Sequence, residues 1–364
     1  MVVEATYIMP IRHDRTEDLD DLTSYLSQLS GYVEELIVVD GSPPEVFTVH
    51  AGRWGSFAAH IPPAPELWSP NGKVGGVLTG LRLASHERVV IADDDVRYDQ
   101  DTLTRVVTLL GDADVVRPQN YFDPLPWHAR WDTARTLLNR VVGGDWPGTL
   151  GVRRSALEDT GGYDGGVLFE NLELVRTIRA SGGVETVPLD LFVRRRPPSA
   201  RHFFSQRVRQ AYDEFARPLR LGIFLALLPL TVLLSLRRCW SLLTFLAVAI
   251  MALAEWGRRR GGGRRVFPVI SSLLAPLWLM ERTLCSWLAL GYRFLGGVPY
   301  RESVLVRAAT PMKELRRRHE KAPALRHQNV HIADADGYFS LSERSDFLPR
   351  NGRLESWAWL LHAI

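Results

Sequence analysis

Two rhythms of apolar and polar positions alternate through the first two hundred residues. Short apolar runs, many of them β-branched, have the length and composition of buried strands: Tyr7-Ile8-Met9, Leu36-Ile37-Val38-Val39, Val89-Val90-Ile91-Ala92 and Val115-Val116. Between them, apolar residues recur at helical spacing. Leu19, Leu22, Leu26 and Leu29 predict a helix over about 17–29, small residues predict one over 74–84, and a third is expected over about 101–110. Strands alternating with helices of this length predict an α/β domain with a mostly parallel sheet. Further on, Phe169-Glu170-Asn171-Leu172-Glu173 opens a helix to about Ala180. The run Arg194-Arg195-Arg196-Pro197-Pro198 leads into a basic helix carrying Gln206, Arg207, Arg209 and Tyr212.

The pattern changes near residue 219. Apolar residues dominate 219–236, 240–256 and 266–292, the last interrupted by Pro268, Pro276 and Glu281-Arg282. A helix of about 18 residues is roughly 27 Å long, close to the thickness of a bilayer core. Aromatic ends and basic collars (Arg237-Arg238, and Arg258 to Arg265) favour membrane spans over a buried soluble bundle. The expected organisation is therefore a domain over 1–217, a membrane region over 218–297 with two to four helical segments, and a polar tail over 298–364. Residues 121–142 mix tryptophan, proline and arginine and read as core or as a membrane interface, with the balance toward the interface.

Composition narrows the classes. A net charge of +3 over 364 residues is too mild for a nucleic-acid partner. The two cysteines, Cys239 and Cys285, lie in apolar runs and exclude both a disulfide framework and a cysteine zinc site. The opening residues carry Glu4 and no apolar core of signal-peptide length, so the first domain is expected on the cytoplasmic side of a cell membrane.

The candidate chemistry sits where the expected strands end. Asp93-Asp94-Asp95 follows the third apolar run, and open α/β sheets bind ligands at that end of their strands. Asp93 and Asp95 can share a hard divalent cation; the plainer alternative is an acidic turn capping the helix that starts near Asp99. Asp40 closes the second run in the same way, or serves as a turn residue. Lys73, at the start of the small-residue helix, is placed for a diphosphate, with helix N–H groups beside it. Ile332-Ala333-Asp334-Ala335-Asp336 imitates the acidic motif but lacks the preceding strand, and is expected to be inert.

In this order and spacing the motifs resemble the inverting family 2 glycosyltransferases of GT-A fold, the class that includes ceramide glucosyltransferase, dolichyl-phosphate mannose synthase and cellulose synthase. The likeness covers about residues 5–217. It implies a metal-dependent hexosyltransferase of the cell envelope, using Mn²⁺ or Mg²⁺ and a nucleoside-diphosphate sugar. The acceptor it implies is a lipid or polyprenyl phosphate at the cytoplasmic membrane face. By resemblance, Pro10 and Arg12 lie in the first donor loop, Asp40 binds the nucleoside, and Asp93 and Asp95 form the Asp-x-Asp motif for ribose and metal. Gly161-Gly162-Tyr163-Asp164 precedes the acceptor-side acidic pair, and Gln206 and Arg209 match the Gln-x-x-Arg-Trp motif, with Gln210 in the tryptophan's place. The acidic pair itself reads Glu170-Asn171, so the usual base is an amide; Glu170 or Glu173 could replace it, or an already ionised acceptor could make a base unnecessary. Two rival readings follow: a membrane-anchored nucleotide-sugar binder without catalysis, and a processive polysaccharide synthase.

Overall fold

The computed structural model describes residues 2–15, 19–300 and 303–326. The chain begins with β1 (Val3–Ile11), α1 (Asp20–Leu29) and β2 (Val33–Asp40), then α2 (Pro44–Trp54) and β3 (Ala59–Ile61), which the apolar pattern did not predict. Next come α3 (Gly72–Leu83), β4 (Arg88–Ala92), β5 (Val96–Arg97), α4 (Gln100–Leu109), β6 (Val115–Val116) and β7 (Gln119–Phe122). The main sheet has seven strands and is completed by β8 (Thr149–Arg153) and β9 (Glu185–Thr186), in the order β3-β2-β1-β4-β8-β6-β9. Strand β8 runs against both neighbours and the other pairings are parallel, so the expected mostly parallel α/β sheet is present.

Alternation along the strands divides the core. Tyr7, Met9, Val38, Val90 and Ala92 face α1 and α4, while Ile8, Ile37, Val39, Val89 and Ile91 face α3. Register then sets the site. Ile11 pairs with Asp40 and Ile8 with Ile91, so the carboxyl ends of β1, β2 and β4 fall level and present Asp40 and Asp93 along one edge. Helix α3 approaches that edge closely because it is glycine-rich. A Cβ on Gly76 would stand 2.9 Å from Pro10 Cβ, and one on Gly80 2.6 Å from Ile8 Cγ2.

Residues 121–142 fold largely as α5 (Trp127–Val141), whose inner face buries Ala129, Ala134, Leu137 and the fully enclosed Arg140. The expected interfacial segment is thus mostly a core helix, with Trp127 at its start 57 % exposed. Helices α6 (Arg154–Glu158) and α7 (Glu170–Ala180) follow. Strand β10 (Phe192–Arg195) joins β5 and β7 in a second sheet of three strands, and α8 (Ala200–Ser205) and α9 (Arg207–Tyr212) come next.

The apolar runs become α10 (Pro218–Leu236), α11 (Trp240–Arg259), α12 (Val269–Leu273) and α13 (Ala275–Phe294). Among the described residues, α10 and α11 are the helices long and apolar enough to cross a membrane, and only 11 % of each apolar window is buried. Their ends away from the hairpin tip dock on the domain. Phe224 meets Trp278 of α13, Ala254 packs with Leu137 of α5, and Arg140 Nε donates to the Gly257 carbonyl at 3.1 Å. Toward the tip, Leu233, Leu236, Trp240 and Phe245 are exposed. Helix α13 differs. It buries Trp278, Arg282, Thr283 and Ser286, and its Glu281 pairs with Arg207, which also bonds Asp132 at 2.7 Å.

Composition placed a boundary at residue 217 and a polar tail from 298. The compact unit instead extends to Lys321. After α13 the hairpin β11 (Val298–Tyr300) and β12 (Ser303–Leu305) brings Val298, Leu305, Ala308 and Ala309 into one apolar cluster with Leu168, Leu172 and Tyr212. Helix α14 (Met312–Arg326) ends the described chain, and the acidic imitation at 332–336 lies outside the described residues.

Candidate active site

The site is built where α3, β4, β10 and α7 converge. Asn71, fully buried, precedes α3 and ties its start to the loop before α7: its backbone N–H donates to Gly165 and its Nδ2 to the Val167 carbonyl. The next turn carries Lys73 inward. Its Nζ lies 2.5 Å from Asp93 Oδ1, 2.8 Å from Glu170 Oε1 and 3.5 Å from Asn171 Oδ1. Burial alone would lower the lysine's pKa, but the Asp93 and Glu170 carboxylates reverse this and hold it above its usual value. In return Glu170, whose pKa burial would raise, is held below the usual range by Lys73, and is ionised at neutral pH.

Across the motif stands Arg195. Its Nε donates to both Asp95 oxygens at 2.8 and 2.9 Å, and its Nη2 lies 3.4 Å from Asp93 Oδ2. This residue was not singled out from the sequence, although it is the middle of three consecutive arginines. Strand alternation explains why it differs from its neighbours: Arg194 pairs with Asp123 and Arg196 with Asp21. Asp95 is half-buried among like charges. Burial, Asp93 and Asp94 outweigh Arg195 and push its carboxyl up to about 6. Space behind the motif is kept by Gly148, where a Cβ would stand 2.6 Å from Asp93 Oδ2 and 3.1 Å from Arg195 Cζ.

The remaining candidates divide. Asp94 accepts from or shares a proton with His13 Nε2 at 2.9 Å. Asp40 is completely buried, held between His50 Nδ1 at 2.6 Å and His60 Nε2 at 2.9 Å, with the Ser42 backbone N–H also donating to it. Burial opposes these bonds, yet they keep the Asp40 carboxyl well below the usual range. No periodicity marks His50 or His60; they meet Asp40 only because α2 and β3 fold over the end of β2. Pro10 lies at the end of β1 and the exposed Arg12 just beyond it, 3.8 Å from Asp14. Asn171 is fixed by donation from Nδ2 to the Pro147 carbonyl at 3.0 Å. Glu173, one turn along α7, does not line the site cavity; its Oε2 accepts from the Thr310 N–H at 2.6 Å. Gln206 is also outside the cavity lining, whereas Arg209 and Gln210 of α9 are part of it.

That cavity, of about 200 Å³, runs from Asp93, Glu170 and Asn171 past Arg209 toward Arg220 and Arg282. Its donor chemistry suits a hard cation and an anion together. Asp93 and Asp95 supply carboxylate oxygens that would hold Mn²⁺ or Mg²⁺, and the raised pKa of Asp95 marks a half-buried carboxylate pair short of positive charge. Lys73, Arg195 and Arg209 supply the cations that a diphosphate would meet.

No protein-family model and no curated protein matches this sequence. Among solved structures, a mannosyltransferase from Pyrobaculum calidifontis in complex with GDP-Man and Mn²⁺ is similar at 20% identity and a TM-score of 0.48, over 79% of this chain and 88% of that one. A glucosyl-3-phosphoglycerate synthase from Mycobacterium tuberculosis, in complex with Mn²⁺, UDP and glucosyl-3-phosphoglycerate, is similar at 19% identity and a TM-score of 0.37, over 55% and 75%. The TarS fragment of S. aureus with UDP-GlcNAc gives 17% and 0.39, over 56% and 61%. At such distances the functional assignment rests on the residues of this chain.

Proposed function

We propose that this protein is a metal-dependent inverting glycosyltransferase that moves a sugar from a nucleoside-diphosphate sugar to a lipid-linked acceptor at the cytoplasmic face of a cell membrane. The observation that carries the reading is the placement of Asp93, Asp95, Lys73, Glu170 and Arg195 together at the carboxyl edge of the sheet, where Asp93, Glu170 and Arg195 line a cation-rich cavity. A sugar leaving a nucleoside diphosphate builds negative charge on the β-phosphate. Lys73 and Arg209 line the path of that charge, and fixed cations in a site partly closed to water stabilise it strongly. Mn²⁺ or Mg²⁺ held by Asp93 and Asp95, when bound, supplies Lewis-acid neutralisation of the same group. Gly148 and the Asn171–Pro147 bond keep the mouth of the site open and shaped.

The membrane part of the reading is supported by α10 and α11. A hairpin whose docked ends are packed and whose outer turns expose Leu233, Leu236, Trp240 and Phe245 has a lipid environment as its natural partner. Glu173 is turned to the Thr310 N–H, which favours Glu170 or an ionised acceptor over Glu173 in this reading.

The test uses full-length protein in detergent or proteoliposomes with Mn²⁺ and a panel of labelled nucleotide sugars. Label should appear in extractable lipid, and slow hydrolysis of one nucleotide sugar should persist without acceptor. Nucleotide binding without either turnover would favour the non-catalytic binder instead.

A further inference from the structure

Helices α12 and α13 are built the wrong way round for a surface that meets water. A surface helix ordinarily turns its apolar stripe inward and its polar residues outward. On α13, Leu277, Leu284 and Leu288 recur at helical spacing and are all exposed, while the opposite face buries Arg282, Thr283 and Ser286. Helix α12 repeats the inversion. Its Val269, Ile270 and Leu273 are exposed, whereas Ser271 and Ser272 are buried and donate to the Arg130 carbonyl at 2.9 Å and to Glu255 Oε2 at 3.2 Å.

This outer face continues that of the apolar hairpin. Thr283 Oγ1 donates to the Phe224 carbonyl at 2.9 Å and Trp287 Nε1 to the Leu225 carbonyl at 3.1 Å, so α13 lies along the docked end of α10. Yet α13 carries Glu281, Arg282 and Arg293 and is not among the helices apolar enough to cross a membrane. A helix with one long apolar face and a polar back suits the plane of a bilayer surface.

The turn leading into α12 adds charge. Left-handed backbone at Gly261 and Gly262, with φ of 52° and 70°, reverses the chain after α11. Three of the arginines around this turn are held by the protein: Arg258 and Arg259 pair with Glu255, and Arg260 donates to the Arg140 and Val141 carbonyls at 2.6 and 2.7 Å. Arg264 and Arg265 are exposed, have no hydrogen bond or ion pair among the described residues, and come just ahead of the exposed Val269 and Ile270. Open cations beside apolar side chains match a lipid head group of net negative charge, which a zwitterionic lipid does not offer.

On the membrane reading above, we propose that α12, the outer face of α13 and the pair Arg264 and Arg265 form a docking surface for anionic lipids of the bilayer, distinct from the α10–α11 hairpin. The apolar side chains enter the boundary between head groups and acyl chains, and the two guanidiniums meet lipid phosphates at that level. The hairpin anchors the chain; this second contact holds the catalytic unit against the membrane and selects the lipids around it.

The test uses full-length protein reconstituted in phosphatidylcholine bilayers that contain phosphatidylglycerol, with spin-labelled forms of both lipids reporting which is held at the protein surface. Phosphatidylglycerol should be preferred by about fivefold or more at low salt, the worth of one cation close to an anionic surface, and the preference should shrink as salt is added. Arg264→Gln combined with Arg265→Gln should remove most of it, Lys at both positions should keep most of it, and Mn²⁺-dependent binding of GDP and UDP should be unchanged. A nitroxide at Leu284→Cys, in a Cys239→Ser background where Cys285 stays buried, should be more accessible to oxygen than to a water-soluble nickel complex. If that variant is unstable, Leu288→Cys carries the same expectation. An unchanged lipid preference in the double variant overturns the anionic assignment. A label open to nickel overturns the bilayer contact, and dipolar broadening between labels gives the face to a second copy of the chain instead. Full-length protein that stays in solution without detergent and does not enter bilayers would defeat the membrane reading itself.

Discussion

The two ends of the cavity are both rich in charge, but they are organised differently. At the sheet edge every charge has a partner: Lys73 bridges Asp93 and Glu170, and Arg195 bridges Asp93 and Asp95. At the helical end Arg209 and Arg282 face aromatic rings, while Asp213 and Glu214 stand beside Arg209, Arg217 and Arg220. At the paired end Asp93, Asp95 and Glu170 outnumber Lys73 and Arg195, and a cation arriving with a diphosphate would supply the missing positive charge. The helical end carries more arginines than carboxylates, an excess of positive charge suited to an incoming anion. The contrast fits a donor that arrives with its metal and an acceptor that arrives with its own charge.

The hardest blow to the paired end is Asp95→Ala. It should lower transfer by about 10³-fold or more and remove the Mn²⁺-dependent part of nucleotide binding, because the diphosphate then lacks its cation. Full activity in EDTA would falsify the metal assignment. Lys73→Met should cost about 10²-fold in kcat, the usual worth of one preorganised charge on a leaving group, with Glu170 losing its ion pair and Asp93 keeping only Arg195. A change confined to KM would mean that Lys73 only holds the donor.

Glu170→Gln separates the two ends most sharply. If Glu170 were the general base, its loss would cost about 10²–10⁴-fold in turnover. With a phosphate nucleophile, the cost should stay below about tenfold, the loss of one ion pair to Lys73, and the lipid product should be labile to mild acid. An acid-stable product with full activity in this variant would defeat both mechanisms.

Asp213 lies between the ends and gives the smallest effect. Burial pushes its carboxyl up to about 7, against Arg209 and Arg217 and with Glu170 and Glu214 adding to the rise. It is therefore largely neutral below pH 7 and ionised above. As pH rises through 7, its negative charge appears beside Arg209 and Arg217 and competes with an anionic acceptor, so acceptor KM should increase by a few-fold. Below about pH 6 the acceptor phosphate itself gains a proton and binds less well. Asp213→Asn should flatten the alkaline side of the KM profile and leave the acid side; an unchanged profile would show that Asp213 does not face the bound anion.

Much of the molecule could be read before any folding was known. The β-branched runs gave β1, β2 and β4, and with them the level at which Asp40 and Asp93 would appear, because apolar periodicity reports local burial directly. The small-residue pattern gave α3 and set Lys73 at its mouth. Apolar length gave α10 and α11. Tertiary structure decided the rest, since partners about a hundred residues apart leave no local trace. Arg195 reaches Asp95 only through the pairing of β10 with β5, and Lys73 reaches Glu170 only when the loop before α7 closes on Asn71. Packing turned Glu173 to Thr310, enclosed Asp40 between two histidines, and brought Val298, Leu305, Ala308 and Ala309 back into the core. It also moved Arg282 from an apolar run, where composition reads it as an interruption, to the wall of the cavity. A charge's role depends on which counter-charge folding brings within reach, and that is fixed by register and packing rather than by the residues beside it in the chain.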